Sequence, residues 1–185
     1  MLKEAMSFIF ETAKIVFIAL LIVVPIRAFI FQPFFVRGQS MEPNFHDGDY
    51  LIVDELTYRF RPPARGEVIV FKYPKMPSQK YIKRIIALPG ETVEITGGKV
   101  SIFNAAGAEV LNESAYLSVE LFTPQDTRIS LDQNEYFVLG DNRSASSDSR
   151  RWGALPQDDI VGRVLLRAWP PTTLAGYFEA PSYEL

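Results

Sequence analysis

The sequence predicts a mainly β protein, an antiparallel β-sandwich or partly closed barrel that follows one N-terminal transmembrane helix. Residues 8–26 are mostly apolar, and as a helix they would span about 28 Å, close to the thickness of a bilayer's hydrocarbon core. The remainder consists of short β-rich runs separated by turn residues, without a convincing amphipathic helical pattern. We therefore expect an anchor with its flanks over residues 1–31 and one β domain over residues 32–185.

The N-terminal segment has two interpretations. Glu11 and Lys14 lie within it at a spacing that lets them pair on one helix face, and residues 15–26 are uncharged. A cleaved signal peptide is the alternative, but no small-x-small cleavage site follows in residues 27–31. The retained anchor is favoured. The basic residues flanking the apolar core balance, so they do not orient the helix: Lys3 and Lys14 precede it, and Arg27 and Arg37 follow it.

Seven β-rich runs are expected after the anchor, each bounded by glycine, proline, asparagine or aspartate turns. They cover residues 50–53, 67–73, 80–88, 92–95, 99–103, 135–139 and 160–168. Residues 104–130 show the least regular pattern, so we expect a variable excursion there. The aromatic stretch around Phe34 and Phe35 suits either a membrane-dipping surface or the domain core.

Composition excludes several classes of function. The net charge is −3 with scattered basic residues, so no nucleic-acid partner is expected. The chain has no cysteine, which excludes disulfides, thiolate metal sites and a cysteine nucleophile. We expect neither a metal nor a cofactor.

Ser40 and Lys83 are the candidate catalytic residues. Ser40 lies between Gly38 and Pro43 in a predicted tight loop that could expose its hydroxyl, although taken alone the residue is better explained as a turn-stabilising serine. Lys83 lies in the run 80–88, where alternation sends it and Arg84 to opposite faces. Apolar neighbours can lower a lysine pKa from about 10.4 towards 7, as a general base requires. A serine activated by a lysine is therefore the hypothesis.

A polar loop, residues 140–153, follows the run 135–139. It has the side chains to orient a lysine and to brace itself with Asp–Arg pairs, although composition alone is also compatible with an ordinary surface loop.

Five segments in order resemble the boxes of bacterial type I signal peptidases, which are membrane-bound serine proteases with a Ser/Lys dyad. They are residues 39–43, 48–53, 65–71, 81–90 and 140–150. The resemblance implies a signal-peptidase-like fold and cleavage of N-terminal signal peptides from translocated preproteins after a small-x-small motif. It also implies a single-pass protein of the bacterial plasma membrane with an extracytoplasmic catalytic domain, in contact with the lipid bilayer and functional as a monomer.

The resemblance also assigns roles. Ser40 is implied as nucleophile, Lys83 as general base and Ser146 as the serine that hydrogen-bonds the lysine. The oxyanion hole would use the backbone N–H of Ser40, and because Gly38 stands where some members carry a serine, its second donor would be a backbone N–H. The implied structural supports are Asp141, Arg143, Asp148, Arg150 and Arg84. The implied substrate pockets comprise Phe34, Val36, Met41, Phe45, Tyr81 and Ile82, between which the peptide would add as a β-strand.

Type I signal peptidases usually have a threonine after the proline that corresponds to Pro43, and this chain has Asn44 there. We expect this difference to adjust the bracing of the loop.

Two rival interpretations remain. One is a related Ser/Lys peptidase with a narrower role, of an organelle inner membrane or a conjugation system, and the other is an inactive membrane-anchored binding protein. The second would have no need for both Ser40 and Lys83.

Overall fold

The computed structural model describes residues 2–29, 31–117 and 122–170, and within them one long helix precedes eleven strands. The long helix α1 covers Leu2–Phe29, and a single-turn helix α2 covers Ser149–Trp152. The strands are β1 Phe31–Phe35, β2 Tyr50–Asp54, β3 Val68–Tyr73, β4 Met76–Ala87, β5 Thr92–Thr96, β6 Lys99–Asn104, β7 Gly107–Val110, β8 Thr127–Ser130, β9 Glu135–Leu139, β10 Leu155–Pro156 and β11 Ile160–Trp169.

The strands form two antiparallel sheets. The larger has seven strands in the order β1-β2-β11-β3-β4-β9-β10, and the smaller has four in the order β7-β6-β5-β8. The predicted mainly β, antiparallel class is confirmed. Neither sheet closes into a barrel within the described ranges, so a closed barrel is not the architecture.

The apolar core consists of three clusters of buried side chains. The first lies where β4 and β9 meet the small sheet, through residues such as Ile86, Val93 and Phe137. The second lies under the loop between β1 and β2, and the third lies among β3, β4, β9 and β10. Each predicted run coincides with a strand because alternate residues pack into these clusters.

The segment 104–130 contains β7 and β8, which pair with opposite sides of the β5–β6 hairpin. Residues 118–121 of this segment are outside the described residues. The two strands of this irregular segment, four residues each, belong to the small sheet.

The helix α1 carries large apolar side chains that remain exposed, including Phe8, Phe10, Phe17 and Leu21. Within the described residues, no helix combines the length and the hydropathy needed to cross a bilayer.

Candidate active site

Ser40 lies in a tight turn between β1 and β2. Gly38 precedes it with φ of 84°, a conformation that glycine adopts without strain. The Met41 carbonyl accepts hydrogen bonds from the N–H groups of Asn44 and Phe45 at 3.0 and 2.9 Å. The side chains of Met41 and Phe45 are fully buried in the cluster beneath the turn. This packing fixes the backbone that presents the Ser40 hydroxyl.

Lys83 lies on β4 and is buried, with 3% of its surface exposed. Its Nζ is 2.7 Å from Ser40 Oγ and also 2.7 Å from the carbonyl oxygen of Ile82. Burial lowers the pKa of Lys83 to about 8, while the negative charges of Asp148 and Asp141 act in the opposite direction. A substantial fraction of the amine is therefore neutral near pH 8, and a neutral amine can take a proton from Ser40.

The loop after β9 packs directly against the Ser40 turn. The N–H of Asn142 donates to the Ser40 carbonyl oxygen at 3.1 Å. A Cβ built on Gly140 would lie 2.4 Å from the same oxygen and 2.2 Å from Ser146 Oγ, so a glycine is required there. The two segments are thus held in contact beside Lys83.

A groove of about 630 Å³ opens at Ser40 and Lys83. One wall is residues 34–40, the other is residues 79–83, and Leu51 and Val70 also line it. Four of the predicted pocket residues line this groove: Phe34, Val36, Tyr81 and Ile82. The other two, Met41 and Phe45, do not, because their side chains are buried under the turn that they anchor.

A family model described as signal peptidase, peptidase S26, matches residues 9–169. The chain therefore belongs to the type I signal peptidases of peptidase family S26. A signal peptidase I of Leptolyngbya laminosa is 35% identical, covering 97% of this chain and 89% of the relative. A signal peptidase IB of Staphylococcus aureus strain Mu50 is 31% identical, covering 92% of each.

A solved crystal structure of a signal peptidase I from Enterococcus faecalis V583 is 32% identical to this chain. The similarity covers 56% of this chain and 97% of that one, with a TM-score of 0.46. Family membership rests on the family model and the sequence relatives, and it makes the chain an enzyme, a serine peptidase of the signal peptidase I type.

In this signal peptidase, an ion pair between Arg84 and Asp141 joins β4 to the loop that follows β9. The Arg84 Nε and Nη2 atoms donate to the two carboxylate oxygens of Asp141 at 2.8 and 2.7 Å. Asn44 Nδ2 donates to Asp141 Oδ2 at 2.8 Å, so the residue that stands in place of a threonine braces the Ser40 turn. Since Arg84 follows Lys83 directly, this pair also fixes the position of β4 beside the turn.

Asp148 and Arg150 form a second buried pair in the same loop. Arg150 Nε and Nη2 donate to Asp148 at 2.8 and 2.7 Å, and the Gly140 N–H donates to Asp148 Oδ2 at 3.1 Å.

Arg143 forms a third pair, in which its Nη1 and Nη2 atoms donate to the Glu113 carboxylate. Sequence reasoning missed Glu113, because it lies in the irregular segment 104–130 and no motif marks it.

Two implied hydrogen-bonding arrangements differ from the structure. Ser146 is buried close to Gly140, but its Oγ has no hydrogen-bond partner in the described part of the chain. The implied bond to Lys83 is therefore not formed; Nζ contacts Ser40 and the Ile82 carbonyl instead. The Gly38 N–H donates to Asp47 Oδ1 at 2.7 Å, which removes it as a free oxyanion donor. For the Ser40 N–H, no acceptor is found among residues 2–29, 31–117 and 122–170.

We expect Asp141→Asn to lower the free energy of unfolding by about 3 kcal/mol or more, because it removes the carboxylate charge that pairs with the buried Arg84 guanidinium. Urea unfolding of the detergent-solubilised protein measures this. The control is Glu94→Gln, which breaks the exposed pair with Arg128 and should cost less than about 1 kcal/mol. Equal losses in the two variants would refute a bracing role for Asp141.

Proposed function

We propose that this chain is a membrane-bound endopeptidase that removes N-terminal signal peptides from translocated preproteins, cutting after a small-x-small motif. Ser40 is the nucleophile and Lys83 is the general base. The observation that carries the proposal is the 2.7 Å separation between Lys83 Nζ and Ser40 Oγ, with the lysine buried and its pKa lowered to about 8. Family membership supports the cleavage of signal peptides.

In the first step, Ser40 Oγ attacks the carbonyl carbon of the scissile bond while neutral Lys83 takes the hydroxyl proton. The tetrahedral intermediate then breaks its C–N bond, and the Lys83 ammonium gives that proton to the leaving amine. An ester of Ser40 remains. Lys83, neutral again, takes a proton from a water molecule as that water attacks the ester carbonyl. The water oxygen becomes part of the released carboxyl group. Lys83 then returns the proton to Ser40 Oγ as the ester bond breaks.

The Ser40 N–H is the oxyanion donor that the geometry supports, because it has no acceptor in the described part of the chain and belongs to the nucleophile itself. Since the Gly38 N–H is engaged by Asp47, it would serve as a second donor only if that bond opened. In this scheme Ser146 reaches the lysine only by rotating its hydroxyl, which has no hydrogen-bond partner in the described part of the chain.

The substrate binds as an added strand between β1 and β4. Among the strands of residues 31–117 and 122–170, β1 is an edge strand of the large sheet and pairs only with β2, and the part of β4 before Arg84 pairs only with β3. Two strand edges are therefore available to the peptide backbone along the groove. Phe34, Val36, Tyr81 and Ile82 then favour small residues at the first and third positions before the cut.

The helix α1 serves as a single-pass anchor in the bacterial plasma membrane, with the β domain on the extracytoplasmic side. The support is that its large apolar side chains are exposed and pack on no part of the described β domain's core. Confining enzyme and preprotein to one bilayer raises their effective concentration. Because Ser40 and Lys83 come from one chain, a monomer contains the complete pair.

We expect the cleavage rate of the purified protein in detergent to fall as the pH drops below about 8. Below that value Lys83 is increasingly protonated, so kcat/KM should lose about a factor of ten per pH unit. Cleavage of a preprotein carrying a small-x-small site, followed from about pH 5 to about pH 9 by the appearance of the mature protein, measures this. A flat profile would contradict Lys83 as the base, and the absence of cleavage at every pH would contradict the proposed function.

A further inference from the structure

The end of the groove away from Ser40 is bridged by a contact between its two walls. Lys80 Nζ lies 4.8 Å from the centroid of the Phe34 ring. Phe34 belongs to β1 and Lys80 to β4, and three strands separate β1 from β4 in the sheet order. The contact therefore spans the groove itself, and a bound peptide strand has to displace it.

The groove is positively charged. Arg37, Lys80 and Lys83 line it, whereas no carboxylate does so among its described lining residues. The chain as a whole has a net charge of −3, so this charge is local. Lys83 is buried and engaged with Ser40, while Arg37 and Lys80 are exposed and remain available to a ligand.

Two carboxylates lie close to these cations without entering the groove lining. Asp47 accepts the Gly38 N–H, and Glu55 lines a separate cavity with Tyr58 and Arg59. The charge of Lys80 acts on Glu55, whose pKa is nevertheless raised, mainly by burial. Neither carboxylate is among the residues that line the groove.

The spacing along β4 indicates which substrate residue Lys80 meets. Lys80 precedes Lys83 by three residues, which is about 10 Å along a strand. For a peptide that runs parallel to β4 with its first residue before the cut beside Lys83, the fourth residue before the cut lies beside Lys80. An acidic side chain at that position can replace the Phe34 ring as the partner of the ammonium group, whereas a basic one is repelled.

We propose that Lys80 makes this enzyme select acidic over basic side chains at the fourth residue before the cleavage site. The inference deepens the proposed function, on which it rests, by specifying the charge of the preferred substrate. Lys80 would be a specificity-determining residue that contacts the substrate away from the reacting atoms.

The test uses the full-length protein in detergent and three peptides that share a small-x-small site and differ only in Glu, Gln or Lys at the fourth position. At low salt we expect kcat/KM to fall in the order Glu, Gln, Lys, with about tenfold between the extremes and most of the change in KM. The ratio should shrink in about 0.5 M salt, because screening weakens exposed charge interactions.

Lys80→Glu should reverse the order of the three peptides. The matched control is Lys75→Glu, which makes the same charge change in the exposed turn between β3 and β4 and should keep the wild-type order. A merely structural role for Lys80 would instead slow all three peptides by the same factor.

Equal cleavage of the three peptides by the wild type, or an unchanged order in Lys80→Glu, would overturn this inference while leaving the peptidase assignment intact. If the wild type cleaves none of the peptides, nor a preprotein, the proposed function fails and this inference fails with it.

Discussion

Replacing Ser40 with alanine should lower the rate of preprotein cleavage by at least about 10³-fold. The hydroxyl is the group held 2.7 Å from Lys83 Nζ, and alanine leaves only water to attack the scissile bond. The turn should survive the change, because it is anchored by the buried side chains of Met41 and Phe45. The measurement is the rate at which mature protein appears in a detergent assay with a small-x-small preprotein.

Ser144→Ala is the matched control. Ser144 lies in the loop after β9, is exposed, and its Oγ contacts the Asn142 side chain at 3.1 Å. We expect this variant to keep most of its activity. Full activity in Ser40→Ala would show that another nucleophile carries the reaction.

Replacing Lys83 with alanine should lower kcat by about 10²- to 10⁴-fold, the usual contribution of a general base. Lys83→Arg separates proton transfer from charge, because a guanidinium stays protonated throughout the accessible pH range. It should be nearly as inactive as Lys83→Ala. A stopped assay at saturating substrate, at about pH 9, gives both values.

The control for these variants is Lys72→Ala, an exposed lysine on the neighbouring strand β3 that does not line the groove. It should cleave at close to the wild-type rate. High activity in Lys83→Arg would indicate that a fixed positive charge, and not proton abstraction, is what this position supplies.

The strands that sequence patterns predict are those that pack two or more residues into the core clusters. In β5 and β6, for example, Val93, Ile95, Val100 and Ile102 enter one core cluster while the residues between them are less buried. The strands that were missed give a weaker signal. All four residues of β7 are exposed, none of the four residues of β8 is buried, β10 has only two residues, and β1 carries Pro33, which is tolerated because β1 is an edge strand.

The site could be predicted as far as its motifs extend. The order of the boxes points to Ser40 and Lys83 together, and the Asp–Arg pairs of the loop after β9 follow from the resemblance. Contacts between a box and an irregular segment were not predictable: Glu113 pairs with Arg143 from 30 residues away. The sequence also does not indicate which acceptor a given N–H group will use. The Gly38 N–H, for example, donates to Asp47 and is not left free.

The most direct test of Ser40 as a nucleophile activated by Lys83 is to identify the residue that carries the acyl group. The enzyme is mixed with a peptide ester of small-x-small sequence, quenched with acid during the first turnovers, digested, and examined by mass spectrometry. We expect the acyl group on Ser40 in the wild type and little labelling in Lys83→Ala at the same quench time. An acyl group on another residue, or equally fast labelling of Ser40 in Lys83→Ala, would contradict the proposed pair.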